Sequence, residues 1–494
     1  MPKKLPIFYS ALLLTGVNLL LRLVSTSFQV YVSGRLGAEG VGLLQLVMSV
    51  GMLTLTAGMA GIRTAAMYLT AEELGRKRPQ NVHWVLRGAF VYSLLCSGAI
   101  SLGLYFGAPW IARSWVGDPR TVDSLRTYAA FLPLVCLCGA MSGYFTAAGR
   151  IGTLAAVEIL EQCCSMAVSM GLLHFWAGAD PGRACQSVVL GSSMGAVLTL
   201  TCLLFLRLRE KKPKGPRLPI RSRLLGIAVP LALADNLKSG ISTTENLMVP
   251  KRLALFPGVD HPLAAFGTVC GMVFPVLMFP AAILFALAEL LIPELARCAA
   301  AGSRQRIRYL AQRSLRLALL YGCLCAGLLF LLAEPLCQWL YGSAQAGSSL
   351  KCYALLAPML YCDAITDAMT KGLGQQKACV RYNIITSAMD VSFLFLLLPR
   401  YGMDGYFFSF FITHLVNFLL SIRLLLKITR ISIPFYIPAA TLAITLLAAF
   451  LGSFAPSPAV RVLGFVGLFG GLLAITRVVT REDAAWLRGL LRKK

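Results

Sequence analysis

Residues 7–33 read IFYSALLLTGVNLLLRLVSTSFQVYVS, a run long enough to cross a bilayer as a helix and yet carrying Arg22 near its middle. An α-helix rises about 1.5 Å per residue, so roughly 20 apolar residues span the hydrocarbon layer and Arg22 falls near mid-depth. Holding a guanidinium there costs about 2.5–3.5 kcal/mol on insertion scales. Residues that bear this cost face a bundle interior or a watery cavity, so Arg22 is either a structural ion-pair member or part of a path for substrate.

The rest of the chain repeats the theme. Of its 494 residues, 57% are hydrophobic and 14% charged, with a mean hydropathy of +0.73. That composition excludes an ordinary soluble protein. Apolar runs recur along the whole length between short polar joints, which predicts an all-α, multi-pass membrane protein with about 14 transmembrane helices. The opening run is too long for a signal peptide and leads directly into a second span, so it reads as a retained first helix. The net charge of +25 is explained by where the cations sit. Most Lys and Arg cluster in alternate joints, near Arg76, Arg150, Arg207–Arg223, Arg304, Lys377 and Lys427, and at both termini. By the positive-inside rule these are cytoplasmic, as are both termini, with some added attraction to anionic membrane lipids. Nucleic acid is not an expected partner. The 15 cysteines are scattered through spans with no metal-ligand spacing, so they read as packing residues, and no cofactor or metal is expected.

Internal duplication organises the spans. Tyr128-Ala129, Pro133 and Gly149 recur with identical spacing as Tyr353-Ala354, Pro358 and Gly374. Glu73-Leu74-x-Arg76 recurs as Glu294-Leu295-x-Arg297, and Ser25-Thr26-Ser27 with Arg35-Leu36 as Ser242-Thr243-Thr244 with Arg252-Leu253. Three ordered matches predict two six-helix lobes in parallel repeat around a central cavity, plus a C-terminal helix hairpin. The expected divisions are 1–206 for the N-terminal lobe, 207–223 for a basic linker, 224–427 for the C-terminal lobe and 428–494 for the extra pair and basic tail. Gly467 and Gly471 in the last span form a GxxxG pair suited to helix contact.

Two further cations lie inside spans: Arg63 in the second and Lys238 in the seventh. With Arg22 they would converge on the cavity between the lobes, where Arg forms bidentate contacts with phosphate and Lys offers a point charge. Lys238 also has Asp235 at i,i+3, so an internal pair is the competing reading. Asp235, Glu245, Asp363, Asp367 and Asp390 are intramembrane acids and candidate coupling or cavity partners, for a proton or sodium ion. Asp363, Asp367 and Lys371 fall on one helix face, which also fits a self-neutralising stripe. Glu158 and Glu161 lie i,i+3 near the cytoplasmic end of the fifth span, where they either hold a proton or sodium ion or serve an interfacial helix-end role. Prolines 133, 230, 275, 280 and 358 interrupt spans and predict kinked helices. No P-loop is present, and the acids form no cluster of the kind a membrane-bound polymerase or ligase needs, so an enzyme is not expected.

The opening helix with Arg22, then GRLGAEGVGLLQL and GMAGIRTAAMYLTAEELGR, resembles the start of the stage V sporulation protein B and polysaccharide-exporter branch of the multidrug/oligosaccharidyl-lipid/polysaccharide exporter superfamily. Residues 272–297, YGSAQAGSSLKCYALLAP at 341–358, TKGLGQQK at 370–377 and LLPRYGMDGYFFS at 397–409 resemble later segments in order. The resemblance implies an alternating-access flippase in the bacterial plasma membrane. It would move an undecaprenyl-linked oligosaccharide, or a peptidoglycan or cortex precursor, from the inner to the outer leaflet. Similarity to the lipid II flippases of the superfamily implies that Arg22 contacts the pyrophosphate, a role extended to Arg63 and Lys238. Relatives commonly have proline where this chain has Arg63. The alternative is a multidrug or cation antiporter of the related extrusion group, against which the three intramembrane cations count.

Overall fold

The computed structural model describes residues 7–76, 78–178, 180–209, 220–431, 434 and 436–476, and among them every regular element is helical. The expected basic N-terminus MPKKLP, the middle of the 207–223 linker and the basic tail lie outside the described residues. The helices are α1 (Ile7–Met59), α2 (Ile62–Gly75), α3 (Val82–Ile111), α4 (Val122–Ala147), α5 (Ile151–Phe175), α6 (Pro181–Leu208), α7 (Ile220–Leu253) and α8 (Pro262–Gly267). After a π-turn at Thr268–Val273 come α9 (Phe274–Met278), α10 (Ala282–Ala300), α11 (Arg304–Tyr341), α12 (Ala344–Ala354), α13 (Ala357–Gly372), α14 (Gln376–Thr429), α15 (Tyr436–Ser453) and α16 (Pro458–Ile475). Among the described residues 10 helical stretches are long and apolar enough to cross a membrane, or up to 11 if the pair α8–α9 and α10, bent by 63°, is one span.

Glycine sets the breaks. Two long helices are interrupted where φ turns positive, at Gly37 in α1 (φ 67°) and Gly402 in α14 (φ 57°). Only glycine adopts that geometry without strain. Gly37 lies in the glycine-rich joint GRLGAEGVG, and the arms on either side of it meet in one core: Val32, Leu43 and Leu44 pack together with Leu173 and Cys185. A second break, at Ala60 and Gly61, separates α1 from α2.

Two compact units emerge from the contacts, Met1–Gly267 with Val391–Met403, and Thr268–Asp390 with Asp404–Lys494. The division by contacts falls at Gly267, and α7 lies against α1 and α2 in the first unit. Close approach there rests on small residues, as it does generally where lipid supplies no hydrophobic drive for helix pairing. A Cβ added at Gly61 would lie 2.5 Å from the Ala228 carbonyl oxygen, and one at Gly143 would lie 2.4 Å from that of Arg63. Between α3 and α4, Arg120 bridges Asp118 (2.6 Å) and Glu39 (2.8 Å). Burial works against the Asp118 carboxylate, but the hydrogen bonds and charge of Arg120 outweigh it and hold its pKa below the usual range.

In the second unit the kink before α10 would leave carbonyls unsatisfied in a medium without water. Two tyrosines answer this: Tyr361 donates to the Leu277 carbonyl (2.7 Å) and Tyr321 to that of Pro280 (2.8 Å). Pro280 and Pro358 thus sit at helix breaks as expected, whereas Pro133 lies inside a continuous α4. The terminal pair α15–α16 packs on α11 through Phe465, whose ring fills the space over Gly327. Gly467 and Gly471 have no atom within 4 Å of an added Cβ, so this GxxxG pair makes no helix contact among the described residues.

Candidate functional site

The polar chemistry of the first unit gathers where α7 runs antiparallel to the second arm of α1 and to α2. Thr243 donates to the Ser49 carbonyl (3.0 Å) and Asn246 to the Ser49 hydroxyl (3.0 Å). At the other end Arg223 clasps two carboxylates at the end of α2, pairing with Glu72 and, at 3.2 Å, with Glu73. Glu73 is buried, its side chain 4% exposed, and also accepts from Asn81 at 2.7 Å. Arg76 completes the cluster on Glu72 at 2.7 Å. Sequence reading saw Glu73 only as a repeat marker, since its partner lies far along the chain.

Removing one partner of a buried charged pair leaves the other desolvated and uncompensated. Arg223→Gln is therefore expected to lower stability by about 1–3 kcal/mol, seen as a fall in melting temperature in detergent. Adding Glu73→Gln should recover most of the loss, because a neutral amide needs no counter-charge. Equal melting temperatures for the single and double variants would refute this account.

The cations predicted from the sequence occupy the same unit. Gln162 of α5 donates to Ser25 of α1 at 2.5 Å, and Val32 shares a core with Leu173, so α1 and α5 run parallel there. One turn back from that hydrogen bond stand Arg22 on α1 and Glu158 on α5. Arg22 is half-buried and engaged by other groups. Arg63, in the first turn of α2, is exposed and forms no salt bridge among the described residues; Glu158 lies within its electrostatic reach. Lys238 is exposed on α7 and lies between the Ala228–Gly61 and Thr243–Ser49 approaches, level with about Thr54. Among the described residues no ion pair joins it to the exposed Asp235. Glu158 of α5 is thus within reach of Arg63, and Arg22 lies one turn from the Gln162–Ser25 hydrogen bond that joins α1 to α5.

The acids differ in their engagement. Glu245 of α7 is half-buried and has partners. Asp367 pairs with Lys371 at 2.5 Å, which supports the neutral-stripe reading for that residue. Asp363 accepts from Asn417 at 3.0 Å, while its Oδ1 and the Oδ1 of Asn417 are buried and make no hydrogen bond among the described residues. Asp390 accepts from Ser409 (2.6 Å) and Thr413 (3.4 Å), beside His414, whose ring stacks on Phe410. Among the described residues no three His, Cys, Asp or Glu side chains are grouped to hold a metal ion.

Comparison with known proteins agrees with this architecture. The MatE family matches residues 15–170. The chain is 24% identical over 500 residues to stage V sporulation protein B of Bacillus subtilis (strain 168), covering 96% of each. It is 25% identical over 425 residues to the probable lipid II flippase MurJ of Rhizobium meliloti (strain 1021), covering 78% of this chain and 76% of that one. Among solved structures, lipid II flippase MurJ in an inward closed conformation has a TM-score of 0.73 at 13% identity, over 97% of this chain and 100% of the other. An inward-facing multidrug resistance MATE family transporter of the MOP superfamily has a TM-score of 0.67 at 15% identity, over 85% and 100%. Fold and relatives define a multi-pass membrane protein of the transporter and flippase class, and its relatives are not enzymes. Within that class the matches support the resemblance to the stage V sporulation protein B and flippase branch of the multidrug/oligosaccharidyl-lipid/polysaccharide exporter superfamily.

Proposed function

We propose that the protein flips an undecaprenyl-linked oligosaccharide, or a peptidoglycan or cortex precursor, from the inner to the outer leaflet by alternating access. In this reading the breaks at Gly37 and Gly402 each separate two spans and α12 with α13 makes one more, giving fourteen in two six-helix lobes and a final pair, with both termini cytoplasmic in the cell membrane. Arg22, Arg63 and Lys238 hold the pyrophosphate, and Glu158 balances the two arginines when the site is empty. Asp363 and Asp390 are the stronger candidates for a coupling proton or sodium ion, because Asp367 is committed to Lys371; Asp235 and Glu245 on α7 are the remaining cavity partners. The observation that carries the proposal is Arg63, an exposed guanidinium within a membrane span and outside any salt bridge among the described residues. Such a cation selects an anionic headgroup.

A drug or cation antiporter is the second reading, favoured by the MatE match and by the buried Asp363 Oδ1. The purified chain in proteoliposomes, given a fluorescent polyprenyl-pyrophosphate sugar, is expected to move it between leaflets faster than protein-free vesicles do. No movement above those vesicles, together with accumulation of a cationic dye, would replace the flippase with the antiporter.

A further inference from the structure

The second unit contains a cavity of about 620 Å³, within the size range of small-molecule sites, that none of the polar chemistry above uses. One wall is the stripe Tyr309, Gln312, Arg313 and Arg316 on α11, residues that helical periodicity stacks on one face. The facing wall is Phe418, Ile422 and Leu426 on α14, and α15 closes the side with Ile437. Its charged lining is cationic only, and the remainder is apolar or neutral. Arg308, one turn before Gln312, is tied to the Thr429 carbonyl at 3.1 Å and so holds the two helices at the cavity's mouth.

From this geometry we infer that the cavity is a binding site for a resident anionic glycerophospholipid. Its phosphate lies between Arg313 and Arg316 and its acyl chain runs along Phe418, Ile422 and Leu426. Basic pockets between transmembrane helices recognise anionic headgroups in this way. The walls belong to one compact unit, so the site is not opened to alternate leaflets by movement of the other. That marks a retained lipid rather than the transported one, and the inference does not depend on which substrate the protein carries.

Native mass spectrometry of the full chain, released from mixed micelles of phosphatidylglycerol and phosphatidylcholine, tests it. The protein is expected to retain one phosphatidylglycerol under activation that strips phosphatidylcholine. The pair Arg313→Gln and Arg316→Gln should lower that retention roughly tenfold or more. Ile422→Trp keeps both guanidiniums but fills the apolar part, and should lower it similarly; it decides the matter if the double variant does not fold. Equal retention of the two lipids, unchanged retention in Ile422→Trp, or displacement of phosphatidylglycerol by equimolar polyprenyl phosphate would overturn the proposal.

Discussion

Arg22→Ala is expected to cut leaflet translocation of a polyprenyl-pyrophosphate sugar by roughly 10- to 100-fold while the protein still folds. A hydrogen bond to a charged group contributes about 1.5–3 kcal/mol, and each 1.4 kcal/mol is tenfold. Arg22 sits half-buried on α1 and is engaged by other groups, so its charge is held in place rather than free to follow solvent. Arg22→Lys should recover part of the rate, since an ammonium keeps the charge but loses the bidentate geometry. Arg63→Ala should show a loss of the same kind, and the double variant less than the sum, if both act on one headgroup as proposed. Glu158→Gln separates a transport role from a merely structural one. If Arg22 only pairs with acids in the bundle, neutralising Glu158 will lower melting temperature and leave translocation per folded molecule intact. Full translocation by Arg22→Ala at normal folded yield would remove it from the mechanism.

How much of this was visible in the chain depends on what kind of signal each feature leaves. Span length and polar joints are one-dimensional, so the helical class could be read directly, and so could the glycine-rich joint that becomes the break at Gly37. Which face of a span meets another helix is a different matter. In lipid the outer face is as apolar as the inner one, so periodicity loses its contrast. The Gly467–Gly471 pair looked like a contact motif and has open space around it, whereas Gly327, unremarked, receives the ring of Phe465. Distance in sequence hid the Arg223 clasp on Glu72 and Glu73, and with it the reason α7 joins the first unit. Electrostatic roles were half legible: an expensive charge such as Arg63 announces itself, but the acid within its reach, Glu158, is known only once the helices are packed.

Gly267→Ala is expected to destabilise the first unit by about 1–3 kcal/mol, the usual cost of overpacking, even though alanine is the better helix former. An added Cβ at Gly267 would stand 2.0 Å from the Ala38 carbonyl oxygen and 2.6 Å from the Gly42 nitrogen. Gly42 meets α8 reciprocally, its Cβ falling 2.3 Å from the Leu263 carbonyl oxygen. Optimal separations between non-bonded atoms are about 3.5–4.0 Å, so the obstacle is backbone on both sides and no rotamer change relieves it. The helices α1 and α8 must part, and the core of Val32, Leu43 and Leu44, against which Leu263 packs, opens with them. Gly98 and Gly103 in α3 provide the control, since an added Cβ there meets nothing within 4 Å. Alanine at either should leave the melting temperature unchanged or raise it, by reducing the freedom of the unfolded chain. A Gly267→Ala protein as stable as Gly98→Ala would show that α1 and α8 can separate without loss, and the close crossing would then no longer explain why glycine stands at both positions.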